Sequence, residues 1–203
     1  LHLSLRRQRQ MCIRDRLYGN EKFTLNGNDT EISVSEFWSW AYSDLLNNTL
    51  RGVLAEFLVK KSFSHFTPPR ENLRTDWTPY DLTSPSGRRI EVKSAAYLQS
   101  WTEDYYSHII FDIAPKRAWN PQTGYSPERS RHSDLYVFCL YTARSREQSI
   151  MNLDLWEFYV LPTSVLDQRM PNQKSIGLNS LLSLKPVKTN FQNLGNVIET
   201  VAL

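Results

Sequence analysis

A chain of 203 residues with 40% hydrophobic side chains, 6 Trp, 9 Phe and 10 Tyr carries enough apolar surface to build a core, which excludes a disordered polymer. No apolar run reaches the length that spans a bilayer. Cys12 and Cys139 offer neither a CxxC pair nor a disulfide framework, and the four histidines show no zinc-ligand spacing, so a reducing cytoplasm is the expected compartment. The net charge of +3 does not by itself point to nucleic acid. Residues 1–16 hold five Arg against one Asp, and the remainder holds 19 basic against 20 acidic residues.

Residues 1–16, "LHLSLRRQRQMCIRDR", lack the apolar core and small-residue cleavage site of a secretory signal. They read as a non-native or disordered basic segment, and residues 17–203 as one domain. In "NGND" (residues 26–29) a turn is expected. Ser33 and Glu36 have capping-box spacing ahead of a helix through about Asn47, with Phe37, Trp38, Ala41 and Leu45 on one face. The run "TLRGVLAEFLVKKSF" repeats Leu50, Val53, Leu54, Phe57 and Leu58 at helical spacing, with Gly52 and Glu56 off that stripe. A helical Gly costs up to ~1 kcal/mol against Ala, which suggests close backbone approach at Gly52.

After a connecting loop at "FTPPRENLRTDWTP", the stretch "YDLTSPSGRRIEVKS" (residues 80–94) reads as a hairpin, and "SAAYLQSW" as a bend or helical turn. "HIIFDIA" predicts a strand, and residues 115–132 a long proline-containing loop. "DLYVFCLY" and "LWEFYVLP" predict buried strands. "TSVLDQ" and "NSLLSL" suggest short helices, and the tail is weakly patterned. This order is that of a mixed α/β (α+β) domain with a central mixed β-sheet flanked by helices.

Alternation in "RRIEVKS" turns Ile90 and Val92 to a core and Glu91 and Lys93 to the opposite face. A turn about Ser86 sets Asp81 across from Glu91, with Cβ atoms about 5 Å apart. Like charges so placed repel, and a pair that tolerates this usually holds a cation. Two carboxylates and the Val92 carbonyl suit Mg²⁺ completed by water and substrate phosphate. Lys93 points the same way, where an ammonium would orient or deprotonate a water, or neutralise charge growing on a phosphate. The plain alternative is a solvated hairpin face, since an acidic-x-Lys tripeptide is common by itself.

Glu56 in "RGVLAEFLV", Asp81 in "YDL", and Glu91 and Lys93 in "IEVKS" resemble the PD-(D/E)xK nuclease superfamily, with its restriction-endonuclease-like core, over roughly residues 33–160. Residues 161–203 would then be a C-terminal extension. The resemblance implies Asp81 and Glu91 as Mg²⁺ ligands (Mn²⁺ substituting), Lys93 as the lysine and Glu56 as the helical carboxylate of a catalytic set. The implied reaction is metal-activated hydrolysis of a DNA phosphodiester; a role in defence against foreign DNA and a homodimeric form are further expectations. Here "PYD" places Tyr80 between Pro79 and Asp81. A helix expected after the third strand of that fold has no counterpart in the pattern of residues 115–133. A non-catalytic nucleic-acid-binding protein of the same fold is the alternative.

Substrate contacts are expected from Arg51 on the Glu56 helix, from Ser94 and Gln99 just beyond the lysine, and from Lys116, Arg117 and Arg131 in the long loop. That loop also holds Arg129, Trp119 and Tyr125, and basic residues interleaved with aromatics suit backbone contact and stacking. A P-loop, a dinucleotide fingerprint and a nucleophile elbow are all absent.

Overall fold

The computed structural model describes residues 17–63, 78–101, 105–120, 122 and 124–203. Expectations for residues 1–16 and for most of the 66–79 loop fall outside these. The described chain divides into two compact units, residues 17–44 and residues 45–203.

In the first unit, β1 (Lys22–Leu25) and β2 (Asn28–Ser33) form an antiparallel hairpin. Its turn, the expected "NG", holds Asn26 at φ 53° and Gly27 at φ 79°. Positive φ at both central positions matches the right-handed strand twist, and Asn-Gly tolerates it best. Helix α1 (Val34–Tyr42) follows with the predicted capping box: the Glu36 N–H donates to Ser33 Oγ and the Ser33 N–H donates to Glu36 Oε2. The helix stops before Leu45, and among the described residues its expected apolar face is only partly buried. Only Val34 is buried, while Phe37, Trp38 and Trp40 stay exposed.

The second unit runs α2 (Asn48–Lys61), β3 (Leu82–Thr83), β4 (Arg89–Ala96), β5 (Ile110–Asp112), β6 (Trp119–Asn120), β7 (Gly124–Tyr125), β8 (Leu135–Tyr141), β9 (Trp156–Pro162), α3 (Thr163–Arg169), β10 (Ser175–Gly177), α4 (Leu178–Ser183), β11 (Val187–Thr189) and α5 (Phe191–Thr200). A five-stranded mixed sheet in the order β11-β9-β8-β4-β3 is its centre. Only β4 and β8 are parallel. Their connection, residues 97–134, carries β5, the β6–β7 hairpin and an isolated bridge between Lys116 and Ser130. A parallel pair requires a long crossover, usually a helix; among the described residues this one has none. The bend expected at "SAAYLQSW" starts later, because β4 continues through Ala96.

All seven residues of β8 are buried, as an apolar run in a sheet covered on both faces requires. On one face Ile90, Val92, Val137, Cys139 and Phe158 pack with Ala55, Leu58 and Val59 of α2 and with Leu194 and Ile198 of α5. On the other, Ala95, Tyr136, Phe138, Leu140 and Leu161 pack with Phe111, Leu166, Ile176 and Leu181. The weakly patterned tail thus supplies β11 and α5, which close the first face. Gly195 permits this: a Cβ there would lie 2.3 Å from the Ser62 carbonyl oxygen at the end of α2.

The stripe expected on α2 is rotated. Arg51, Ala55, Leu58 and Val59 face the sheet, whereas Val53 and Phe57 are 37% and 52% exposed. Small Ala55 allows close approach to β4, and Arg51 finds enough acceptors to be buried, so the helix turns toward them. Gly52 has a different reading from the one expected, since a Cβ there would meet nothing within 4 Å.

Candidate active site

The β3–β4 hairpin pairs Leu82 with Ile90 and Thr83 with Arg89, which continues to Asp81 opposite Glu91 in the register expected for a turn about Ser86. The Asp81 N–H donates to the Ile90 carbonyl at 3.0 Å, and Asp81 Oδ2 accepts from the Val92 N–H at 2.7 Å. The carboxylate is thus held by the backbone of the strand that carries Glu91 and Lys93.

Glu91 is only 4% exposed, on the face where the same strand later contributes Ala95 to an apolar core. A lone buried carboxylate would shed its charge, because desolvation outweighs any weak interaction. Glu91 keeps it: Lys93 Nζ donates to Oε1 at 2.6 Å and Lys116 Nζ to the same oxygen at 2.7 Å. Burial alone would raise the Glu91 carboxyl, but these two ammoniums hold it below the usual carboxylate range. Burial would likewise lower Lys116, yet the Glu91 carboxylate raises it above the ordinary lysine value.

Asp81 experiences the reverse. Burial first, and then the charge of Glu91, push its carboxyl up from 3.8 to about 6, against the opposing Val92 N–H and Lys93. The Glu56 charge on α2 pushes the same way. Asp81, Glu91, Lys93 and Lys116 therefore form one electrostatic group, with Glu56 within its field. Tyr136, paired with Glu91 across the parallel ladder, is held above its ordinary range by burial and by that same carboxylate.

Among the described residues no three His, Cys, Asp or Glu side chains gather as a metal site. The carboxylates brought together are two, Asp81 and Glu91. Such a pair fits Mg²⁺, which keeps several waters and takes one or two carboxylates together with substrate phosphate. Both lysines engage Oε1 of Glu91, which leaves Oε2 for a further cation.

The other expected contact residues divide into two groups. Arg51, Ser94 and Gln99 come together, but inside the fold. Arg51 is 1% exposed; Nε donates to Ser94 Oγ at 3.1 Å, Nη1 to the Leu46 carbonyl at 3.0 Å and Gln99 Oε1 at 2.8 Å, and Nη2 to Asn48 Oδ1 at 2.6 Å. Burial pushes the guanidinium down to about 10, still a cation at neutral pH. Arg131 is also turned inward, donating to the Ile113, Met170 and Gln173 carbonyls and to Asp167 at 2.7 Å. It braces the loop against α3 rather than reaching the carboxylates. Asp134, which opens β8, takes both the backbone and the guanidinium of Arg89.

Lys116 and Arg117 do lie on an accessible surface. With Asp112, Pro115, Tyr125 and Arg129 they line an open groove of about 430 Å³. The bond from Lys116 to Glu91 has no signal in the sequence, since 25 residues separate them and only the returning loop joins them. Tyr136 follows from the parallel register, which the strand patterns leave open.

Residues 3–176 match the family described as bacteriophage T4 endonuclease IV. No curated protein matches the chain. No helix among the described residues is long and apolar enough to cross a membrane.

Proposed function

Because the chain belongs to the bacteriophage T4 endonuclease IV family, a family of DNA endonucleases and hence of phosphodiester hydrolases, we propose that it cleaves DNA with a divalent metal at Asp81 and Glu91, in the manner of the PD-(D/E)xK nucleases. The observation that carries this reading is the hairpin register that sets Asp81 across from Glu91, with Asp81 Oδ2 held by the Val92 N–H at 2.7 Å and its carboxyl pushed up to about 6, first by burial and then by Glu91. A buried carboxylate driven toward protonation beside a second, ionised one is the kind of perturbed pair found where ionisable groups bind cations or do chemistry.

In this reading Asp81, Glu91 and the Val92 carbonyl hold the ion, Mg²⁺ by its preference for hard oxygen ligands, with Mn²⁺ substituting. When bound, the ion would supply Lewis-acid stabilisation of phosphoryl charge and a more acidic water. The Val92 N–H fixes Asp81, so that little reorganisation remains when the ion arrives. Glu91 positions Lys93, whose ammonium then faces charge that grows on the non-bridging oxygens. Glu56 adds negative potential from α2. Lys116 and Arg117 offer positive charge to the strand on either side of the scissile bond.

The direct test is cleavage of plasmid and of single-stranded DNA with Mg²⁺ or Mn²⁺. Asp81→Ala and Lys93→Ala, checked by circular dichroism to be folded, are expected to lose at least about 1,000-fold in rate. Undiminished cleavage in both variants removes the site assignment. Salt-sensitive DNA binding without any metal-dependent cleavage selects a non-catalytic protein instead.

A further inference from the structure

Lys116 belongs to two places at once. Its ammonium lies 2.7 Å from Glu91 Oε1, while the residue lines the groove with Arg117, Tyr125 and Arg129. Its backbone is fixed: the Lys116 N–H donates to the Ser130 carbonyl at 3.0 Å, the Ser130 N–H returns to the Lys116 carbonyl at 3.1 Å, and His132 Nε2 donates to that same carbonyl at 3.0 Å. The side chain is 52% exposed, against 16% for Lys93. Of the two lysines on Glu91, Lys93 is enclosed and Lys116 is free to swing about an anchored Cα.

We infer that Lys116 couples occupancy of the groove to occupancy of the metal site: a backbone phosphate in the groove draws the Lys116 ammonium from Glu91 and so removes a positive charge that opposes the ion there. This rests on the metal-dependent reading above. The physical reason is competition. Glu91 satisfies two ammoniums in the absence of ligands, and a divalent cation there repels both. Lys93 has little room to withdraw. Lys116 can withdraw into solvent, and an anion in the groove makes the withdrawn position more favourable. Arg117 and Arg129 keep such an anion close, and Asp112 at the groove wall disfavours bringing it deeper. Linkage makes the effect reciprocal, so the ion strengthens groove binding by the same factor. The consequence is an ion bound weakly until a nucleic-acid strand is in place.

Mn²⁺ affinity measured by electron paramagnetic resonance tests this without reading activity. The ion is titrated into the full chain alone and with a saturating phosphorothioate oligonucleotide, which resists hydrolysis, in single-stranded and duplex forms. In the unmodified chain at least one form is expected to tighten Mn²⁺ binding about tenfold, within the usual range of coupling between sites. In Lys116→Gln the DNA-free affinity is expected to rise above that of the unmodified chain, and the effect of the oligonucleotide to shrink to within about twofold. Lys116→Arg, which keeps the charge and the reach, restores coupling. Lys116→Gln with an unchanged or weaker DNA-free affinity, or with full coupling, overturns the inference and leaves the metal site standing. No Mn²⁺ binding by the unmodified chain in either titration removes the metal-dependent reading and the inference with it.

Discussion

Arg51 and Glu91 are both buried ions beside β4, on opposite faces of the sheet, and they are stabilised in opposite ways. Arg51 is surrounded by neutral oxygens from Leu46, Asn48, Ser94 and Gln99. It ties α2 to the end of β4 and to the turn beyond it, and its donors are spent within the fold. Glu91 is balanced by two cations on one oxygen, with a second carboxylate nearby that is driven toward protonation. The first arrangement is closed and its charge is a structural element. The second has charge on every member and one carboxyl displaced from its ordinary range, the condition in which buried ionisable groups do chemistry.

Mutations that exchange stability for activity break this comparison most sharply. Glu91→Gln keeps the shape and removes the charge, and a fall of at least about 100-fold in cleavage rate is expected. Its unfolding free energy in urea should fall by less than that of Arg51→Met, because Lys116 already reaches solvent and the enclosed Lys93 keeps the charge of Asp81 nearby. Arg51→Met is the mirror image. It strands several buried acceptors, each costing about 1–3 kcal/mol when unpaired, and a total loss of about 2–4 kcal/mol is expected in the same measurement. A small effect at Arg51 would mean that its network is dispensable and the contrast is false.

A subtler expectation concerns pH. The Asp81 carboxyl is raised in the folded state from 3.8 to about 6, so the native protein holds that proton more tightly than the unfolded chain. Its contribution to stability is complete below about pH 4, declines as pH rises through about 6, and is lost above. Asp81→Asn retains an acceptor for the Val92 N–H and removes the repulsion. The variant should therefore be more stable than the unmodified chain at pH 8, by about 3 kcal/mol, and equal to it near pH 4. Urea unfolding across that range measures the difference, and equal stabilities at pH 8 would show that neither burial nor Glu91 strains the Asp81 carboxylate. Smallest of all, Gly52→Ala, next to Arg51 in α2, should gain up to about 1 kcal/mol, since its Cβ meets nothing within 4 Å. Thermal unfolding checks it, and a loss there would mean that the surface of α2 is more crowded than its geometry shows.

Local information was legible in the sequence because it rests on near neighbours. The Asn26-Gly27 turn, the Ser33–Glu36 capping box, the apolar β8 and β9, and the register that sets Asp81 across from Glu91 all follow from spacing, period and turn chemistry within a few residues. The buried side of α2 did not follow, because apolar periodicity marks the stripe through Val53 and Phe57, while a polar network elsewhere in the chain makes the Arg51 stripe the better partner. Likewise α5 has little to announce it except that Gly195 fits against the Ser62 carbonyl.

For the candidate site the division is the same. Asp81, Glu91, Val92 and Lys93 lie on one hairpin, and the period of a strand determines which of them share a face. The sequence by itself therefore determined that an acidic pair and a lysine stand together, and which residue types would suit a hard cation. Only the tertiary structure decided that Glu91 is enclosed, that Lys116 returns to it across a crossover, and that Arg51 and Arg131 turn inward. Burial and long-range charge pairing depend on which elements cover a face, and that is a property of the assembled sheet rather than of any segment in it.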